Sequence, residues 1–415
     1  MEAGLSRERV LPPGAAFQHP NFRYFLGARF LITVASEMQA VAVAWQVFGL
    51  THRPLDLGLV GLAQFLPGIL LFLPAGHTAD HVPRKRIIQC CFAAFAVCSL
   101  LLLSFTLQGL RQVWPIYLAL IWNGILRAFN GPASQSFLPL LVPQEHFQNA
   151  VAWGASVFQA ATIIGPSIGG LVYGWTGSPV AVYASAMTCY LAALALFSRL
   201  RVESAIRPRT PVSLETVFEG MRFIWRNKNI FGAMSLDLFA VLLGGAVALL
   251  PVYAHETLHV GARGLGLLRA APGVGAILMA VCGGALASTE ARGSCDACRR
   301  GGIRVGDGGF GFSRNFELSL AALAVCGACD MVSVVVRQTL VQLGTPDAMR
   351  GRVAAVNMVF IGASNEVGQF ESGITAQWFG TVPAVVLGGV GTIAIVAAWT
   401  GIFPGLRKFS FEDKR

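Results

Sequence analysis

The stretch GHTADHVPRKR, from Gly76 to Arg86, places one acidic residue, three Lys or Arg and two His between two long apolar runs. The runs are Leu57–Ala75 before it and Ile87–Leu107 after it. Each run is close to the ~20 residues that an α-helix needs to cross the hydrocarbon core of a bilayer. A charged segment between two such runs is typical of a short loop that joins two membrane-spanning helices.

The rest of the chain is apolar to the same degree: 54% of its 415 residues are hydrophobic, 13% are charged, and the mean hydropathy is +0.61. Soluble domains carry about 25% charged residues, so this composition favours a polytopic all-α membrane protein whose main partner is the lipid bilayer. The first twenty residues contain no apolar core of a signal peptide, and we expect no cleavable signal. Hydropathy predicts eleven spans, at Tyr24–Phe48, Leu57–Ala75, Ile87–Leu107, Val113–Leu138, Val151–Tyr173, Val180–Phe197, Ile230–Tyr253, Gly264–Ala287, Leu318–Leu343, Val353–Phe379 and Val382–Phe403.

The net charge of +10 is distributed by side of the membrane, which argues against a nucleic-acid partner. Basic residues gather before the first span, at 84–86, at 199–228, at 350–352 and after the last span. The intervening loops carry the isolated residues Arg53, Arg111, Arg263 and Arg314. Cytoplasmic loops are enriched in Lys and Arg, so we expect an inner or plasma membrane protein with both termini in the cytoplasm.

An internal repeat predicts two halves of six spans each. Several residues of the first half recur 203 positions later, namely Gln135 as Gln338, Pro143 as Pro346, Gly165 as Gly368 and Gly170 as Gly373. The predicted halves are 1–198 and 229–415, joined by a cytoplasmic linker at 199–228. Within the linker, Ser213–Trp225 is amphipathic and is expected to lie along the membrane surface.

The repeat requires a ninth span near 290–313, where the sequence is EARGSCDACRRGGIRVGDGGFGFS. This stretch contains four Arg and seven Gly, and each Arg at a helix centre costs about 2.5–3.5 kcal/mol on insertion scales. Its length suits a span while its chemistry does not, so one interpretation of 288–313 is a compensated frameshift. The alternative is a true polar loop with one span missing.

Charged residues inside the spans are costly and often mark a transport pathway or a partner pair. Their concentration in the first, fourth, seventh, tenth and eleventh spans predicts a polar central cavity. Arg269 lies close enough to the outer end of its span to be expected to extend into water. The cavity candidates are Arg29, Glu37, Arg127, Asp237, Asp330, Arg337, Glu366 and Glu371. Asp330 and Arg337 could alternatively form a local structural pair.

This pattern resembles the major facilitator superfamily, in which two six-helix halves rock about a cavity lined by the first, fourth, seventh and tenth helices. The opening stretch resembles the family's gating motif A, with Gly76, Asp80, Arg84 and Lys85 at matching positions. His81 and Pro83 stand where the motif usually has Arg and Gly. The resemblance implies that this cluster holds the cytoplasmic side shut in one state and releases it in the other, while a purely topological basic loop is the alternative.

A second resemblance is to motif C, the antiporter signature of the fifth helix, at Gly165, Pro166, Gly169 and Gly170. Strings such as Gly266–Pro272 and Met349–Val353 resemble the enterobactin exporter-like group of bacterial permeases. That resemblance implies proton-driven efflux of a siderophore-like metabolite or drug by a monomer. Simple close packing of the glycines remains the alternative for motif C, and an uptake permease or an inactive degraded transporter remains the alternative for the whole chain.

Enzymatic activity is not expected, because the sequence contains no HExxH, GxSxG or Walker A motif. No cofactor or metal is expected either, since Cys295 and Cys298 supply half of a zinc site at most. For proton coupling the leading candidates are Asp237 and Glu37, because carboxylates in a low-dielectric cavity can exchange protons near neutral pH. Neighbouring Arg29 and Arg127 would oppose that exchange.

Overall fold

The structure, a computed structural model, describes residues 14–202, 214–244, 246–286, 313–346 and 349–403. All of its regular elements in these ranges are helical. They are α1 (Pro20–Thr51), α2 (Pro54–Leu70), α3 (Phe72–His81), α4 (Arg84–Leu107), α5 (Trp114–Phe137), α6 (Phe147–Thr176), α7 (Pro179–Ser198), α8 (Leu214–Arg226), α9 (Lys228–Leu243), α10 (Ala246–Val252), α11 (Gly261–Leu286), α12 (Phe316–Gly344), α13 (Arg350–Phe379) and α14 (Thr381–Ile402).

Each of the eleven predicted spans coincides with one of these helices or with a broken pair of them. Eight helical segments of the described chain are long and apolar enough to cross a membrane, one of them made up of α9, α10 and the turn that follows α10. Two long helices outside that set, α5 and α13, carry charged residues of the predicted cavity. We call α1–α7 the N-terminal half and α9–α14 the C-terminal half.

Two of the predicted spans are broken rather than continuous. The span Leu57–Ala75 divides at Leu71 into α2 and α3, because Pro74 has no N–H to donate to the carbonyl one turn earlier. Helix α3 then continues to His81, so the turn in GHTADHVPRKR is confined to Val82 and Pro83. The span Ile230–Tyr253 is interrupted where α9 ends at Gly244, since glycine weakens a helix.

Contacts between loops define two ends of the bundle. At the first, Nε2 of His19 lies 3.0 Å from Nδ1 of His146, and the side chain of Asn21 bonds to the backbone of Arg201. At the same end of the C-terminal half, the ring of Phe403 packs 6.1 Å from that of Phe231. Because this end carries the basic segments, we call it the basic end. Both ends of the described chain lie there.

The opposite, outer end holds the turn after α1 and the start of α11. There the ring of His255 lies 5.8 Å from that of His52. The start of α12 is also at the outer end, because Phe316 is adjacent to Gly264 of α11. Since α11 runs from the outer end to the basic end, the described residues on either side of 287–312 lie at opposite ends of the bundle. The predicted aberrant span 288–313 itself lies outside the described residues, apart from Ser313.

The linker helix α8 is attached to the basic end of the C-terminal half. Ile224 is fully buried against Ile230 and Val353, and a carboxylate oxygen of Glu219 forms an ion pair with Arg352. The aromatic side chains of Phe218 and Trp225 are exposed. The predicted amphipathic segment is therefore helical from Leu214 to Arg226. Residues 203–213, which precede this helix, lie outside the described part of the chain.

Apolar packing differs between the two ends. At the outer end, a single buried cluster contains residues from both halves, such as Val47, Tyr183, Leu250 and Leu268. At the basic end, the described residues form two separate clusters, one around Phe25 in the N-terminal half and one around Ile230 in the C-terminal half. The halves therefore share their buried apolar core on the outer side and, among the described residues, keep separate cores at the basic end.

Candidate functional site

Four charged residues from four helices interact electrostatically where the two halves meet. Glu37 of α1 and Glu366 of α13 each interact with Arg127 of α5 and with Arg269 of α11. We call these residues the charge quartet. One acid and one base come from each half, so every attraction between Glu37 and Arg269, or between Glu366 and Arg127, acts across the interface between the halves.

The glycines of α6 bring Glu37 and Arg269 toward each other. A Cβ at Gly165 would lie 2.6 Å from the Cβ of Glu37, so α1 can approach this close only because residue 165 is glycine. On the other side of α6, a Cβ at Gly170 would lie 2.7 Å from the Cα of Gly266 on α11. Arg269 follows Gly266 by about one helical turn and shares its face. The motif C segment thus lies between the two charges.

Helix α2 carries polar groups to the other two members of the quartet. Arg127 donates a hydrogen bond of 3.4 Å to Oε1 of Gln64. One turn earlier, a Cβ at Gly61 would lie 3.0 Å from Oε2 of Glu366. The same carboxylate oxygen accepts a 3.3 Å hydrogen bond from Nε2 of Gln369. The face of α2 at Gly61 and Gln64 therefore lies between Arg127 and Glu366.

Arg269 is the member that the sequence did not indicate. It was expected to reach water at the outer end, but α11 begins at Gly261, about 12 Å before Arg269 at 1.5 Å per residue. Its Nη1 atom is enclosed and has no hydrogen-bond partner among the described residues. The expectation was therefore wrong. The available signal was the spacing of Gly266 and Arg269, which puts the arginine beside a small-residue contact.

Asp237 and Arg337 form an ion pair inside the C-terminal half, between α9 and α12. Their side chains are 11% and 7% exposed, so both charges are largely removed from solvent. Asp330, considered above as the local partner of Arg337, lies seven residues earlier on α12 and is exposed. The structure thus joins Arg337 to a different helix.

The remaining cavity candidates lie apart from these two groups of contacts. Arg29 is half-buried on α1, and its backbone carbonyl accepts a 2.9 Å hydrogen bond from Thr33. Oε1 of Glu371 accepts a 2.8 Å hydrogen bond from Thr375 of its own helix. Glu371 is therefore satisfied locally, although it shares α13 with Glu366.

The motif A residues contact other helices of the N-terminal half. Arg84 donates a 3.1 Å hydrogen bond to the carbonyl of Ser136, and Lys85 donates a 2.6 Å hydrogen bond to the carbonyl of Leu200. These carbonyls lie at the C-terminal ends of α5 and α7, where positive charge is stabilising. Space is open around Gly76. The side chain of Asp80 lies outside the described residues.

His81, which replaces the usual arginine of motif A, packs against His77 with ring centroids 4.1 Å apart and the ring planes tilted by 32°. Its Nδ1 lies 2.9 Å from the carbonyl oxygen of His77. This side chain therefore interacts with its own helix. Across the described part of the chain, no group of three or more His, Cys, Asp or Glu is placed to hold a metal ion.

With this geometry in place, comparison with known proteins identifies the family. The family model for transmembrane secretion effectors of the major facilitator superfamily matches residues 12–414. The chain belongs to the major facilitator superfamily. It is accordingly a multi-span membrane transporter and not an enzyme. The similarity to that superfamily inferred from motifs A and C is confirmed.

Relatives of known description are named as enterobactin exporters. EntS of Shigella boydii serotype 4 and EntS of Escherichia coli O139:H28 are each 28% identical to this chain over 341 residues. The match covers 81% of this chain and 80% of each relative.

Solved structures support the fold. A bacterial homologue of the human lysosomal transporter Spinster, in an inward-facing and unoccupied conformation, gives a TM-score of 0.73 at 13% identity over 94% of this chain and 99% of its own. The nucleoside transporter NupG gives 0.69 at 13% identity over 94% and 100%. At such identities the likeness shows the fold alone.

Proposed function

We propose that this transporter exports a small amphipathic compound, such as a siderophore-like metabolite, by proton antiport with alternating access. Three features support this proposal. The relatives at 28% identity are named enterobactin exporters, the motif C segment of antiporters is present in α6, and the basic end corresponds to the cytoplasm by the positive-inside rule.

The observation that carries the proposal is the position of the charge quartet at the interface between the halves. Glu37 and Glu366 are carboxylates that can bind protons, and each belongs to a half that moves relative to the other. A proton taken up from outside at one of them changes the attraction between the halves and is released inside after the halves rock. The substrate enters from the cytoplasmic side while the quartet is ionised and leaves outside.

Transport by inside-out membrane vesicles tests this function, with enterobactin as the probe because it is the compound named for the relatives. In these vesicles the lumen corresponds to the outside of the cell. An acidic lumen should drive enterobactin inward against its gradient, and a protonophore should abolish the accumulation. Replacement Glu37→Gln should remove at least about 90% of the gradient-driven accumulation, a loss typical of removing a proton-transfer group.

Glu371→Gln is the matched control, because Glu371 is a carboxylate of a membrane helix that is satisfied by its own helix. It should retain near wild-type accumulation. Accumulation driven by an alkaline lumen would instead identify an uptake permease that carries substrate and proton together. Full accumulation by Glu37→Gln would contradict proton coupling at the quartet.

The alternative of an inactive, degraded transporter concerns residues 288–313. The described ends of this stretch lie at opposite ends of the bundle, so a working carrier needs a chain crossing there. Sequencing the DNA for residues 285–315 tests this point. A frame that restores an apolar ninth span favours an intact exporter, and confirmation of the present sequence favours the inactive alternative.

A further inference from the structure

We propose that Arg269 keeps the outer side of the empty carrier closed, and we call this role the lock. Its guanidinium is attracted to both Glu37 and Glu366, and the outer side stays closed until a proton or a substrate engages one of these carboxylates. This inference rests on the proposed function and adds the residue that prevents unloaded cycling. Antiport requires such a lock, because a carrier that changes state while empty lets substrate and protons move independently.

The position of Arg269 supports this role. It lies just inside the outer contact made by Gly170 and Gly266, where a Cβ on either residue would meet backbone of the other helix. Its Nη1 atom is enclosed and unpartnered among the described residues. An enclosed guanidinium nitrogen without a hydrogen bond depends on nearby negative charge for its stabilisation, so a change in the counter-charges acts on it directly.

The rocking motion moves one counter-charge of Arg269, Glu37, relative to α11, while the other, Glu366, belongs to the same half as Arg269. Glu37 lies on α1 in the opposite half, and Glu366 lies on α13, whose contact with α2 also closes the outer side through Gly58 and Gly373. While both carboxylates are ionised, the two acids and two bases of the quartet balance. Protonation of either acid leaves one positive charge in excess beside the enclosed Nη1 atom of Arg269, which weakens the closed arrangement.

Other titratable groups near the quartet are few among the described residues. Tyr190 of α7 interacts with Glu37 and Arg127. Helices α6 and α10 contribute no charged side chain. Helix α12 packs on α11 at Gly327 and Pro272. Its charged residues Asp330 and Arg337 lie beyond this contact toward the basic end, and Glu317 is exposed in its first turn at the outer end. His255 and Glu256, which follow α10, and His52, which follows α1, lie at the outer surface.

The test measures closure of the outer side without substrate or a gradient. His52→Cys and His255→Cys place a reporter pair across the outer interface, where the native rings are 5.8 Å apart. These substitutions also remove the two histidine rings that face each other across the outer interface. Disulfide formation is quantified by mass spectrometry of the bridged peptide, in protein reconstituted in lipid nanodiscs, at about pH 8 and about pH 5.5, the range over which buried carboxylates exchange protons. Because the thiolate is the reactive species and is scarcer at the lower pH, each rate is divided by the rate at which a soluble maleimide labels the same two cysteines at that pH. Disulfide formation is expressed as this ratio throughout.

With the native quartet, we expect disulfide formation to be fast at the higher pH and several-fold slower at the lower pH. Arg269→Gln should be slow at both values, as should the double variant Glu37→Gln/Glu366→Gln, which mimics full protonation. Arg269→Lys keeps the charge and should retain the pH dependence. Arg111→Gln is the matched control, because Arg111 is an exposed arginine in the outer loop between α4 and α5 of the N-terminal half, and it should behave like the native protein.

Fast, pH-independent disulfide formation in Arg269→Gln would overturn the lock, and so would equal pH dependence in Arg269→Gln and the control. Since the measurement requires no transport, failure of the lock is distinguishable from failure of the proposed export. Suppose that Glu37→Gln loses gradient-driven accumulation while Arg269→Gln forms the reporter disulfide as the native protein does. This result would support proton antiport and contradict the lock.

Discussion

At the scale of single residues, charges in this protein follow two different rules. The pair Asp237–Arg337 is a direct contact within one half, whereas the charge quartet acts at longer range across both halves. A direct buried pair is destabilised strongly when one partner is removed, because the other charge is left uncompensated. We therefore interpret Asp237, a leading proton-coupling candidate from sequence, as a stabilising partner of Arg337.

The replacement Asp237→Asn should lower the stability of the protein by about 3–5 kcal/mol, the typical cost of leaving one member of a buried pair alone. The double variant Asp237→Asn/Arg337→Gln should regain at least half of that loss. Thermal unfolding in detergent measures both. Glu219→Gln is the control, because the ion pair of Glu219 and Arg352 is 48% and 40% exposed and should contribute less than about 1 kcal/mol. If the Asp237→Asn variant is as stable as the native protein but no longer couples transport to protons, Asp237 is a proton-coupling residue.

At the scale of elements, α6 is the helix on which the fold depends most directly. It contacts α1 of its own half through Gly165 and Gly169, and it contacts α11 of the other half through Gly170. Contacts between backbones at glycines allow helices to approach more closely than any side chain would permit. This accounts for the glycines of the motif in α6 by geometry alone, independently of the direction of transport.

Gly170→Ala should destabilise the protein by about 1–3 kcal/mol, the usual cost of inserting a methyl group into a filled interface. Gly154→Ala is the control on the same helix, because no atom lies within 4 Å of the Cβ that it would add. Both changes gain the same helix propensity, about 1 kcal/mol, so the difference between their unfolding temperatures reports the contact with α11. Equal unfolding temperatures would show that the outer contact tolerates a side chain.

At the scale of the whole molecule, the sequence was sufficient for the architecture and insufficient for the charge network. Apolar runs, the distribution of Arg and Lys and the repeat predict the spans, because the bilayer imposes length and polarity on each span separately. The partners of Arg269 are 232 positions before it, at Glu37, and 97 positions after it, at Glu366. Such a pairing depends on how the halves pack, which no local pattern encodes.

The topology gives a prediction for the intact cell. Arg226 at the end of α8 lies at the basic end, and Arg263 at the start of α11 lies at the outer end, and both are exposed. A membrane-impermeant maleimide should therefore label Arg263→Cys in intact cells, because positive-inside orientation puts the outer end outside. Arg226→Cys should be labelled only after permeabilisation. The reverse pattern would invert the assignment of the two ends.

The composition of the charge quartet has an electrical consequence. Two arginines and two ionised glutamates sum to zero, so the site moves no net charge when it carries an uncharged substrate outward. With one proton bound, the same site carries one positive charge on its way in. A membrane voltage of 100 mV, negative inside, contributes about 2.3 kcal/mol for each charge that crosses fully. The voltage therefore acts only on the step in which the proton-loaded site returns to the inside. A cell with a larger membrane voltage would speed up export through this step, during which no substrate is bound.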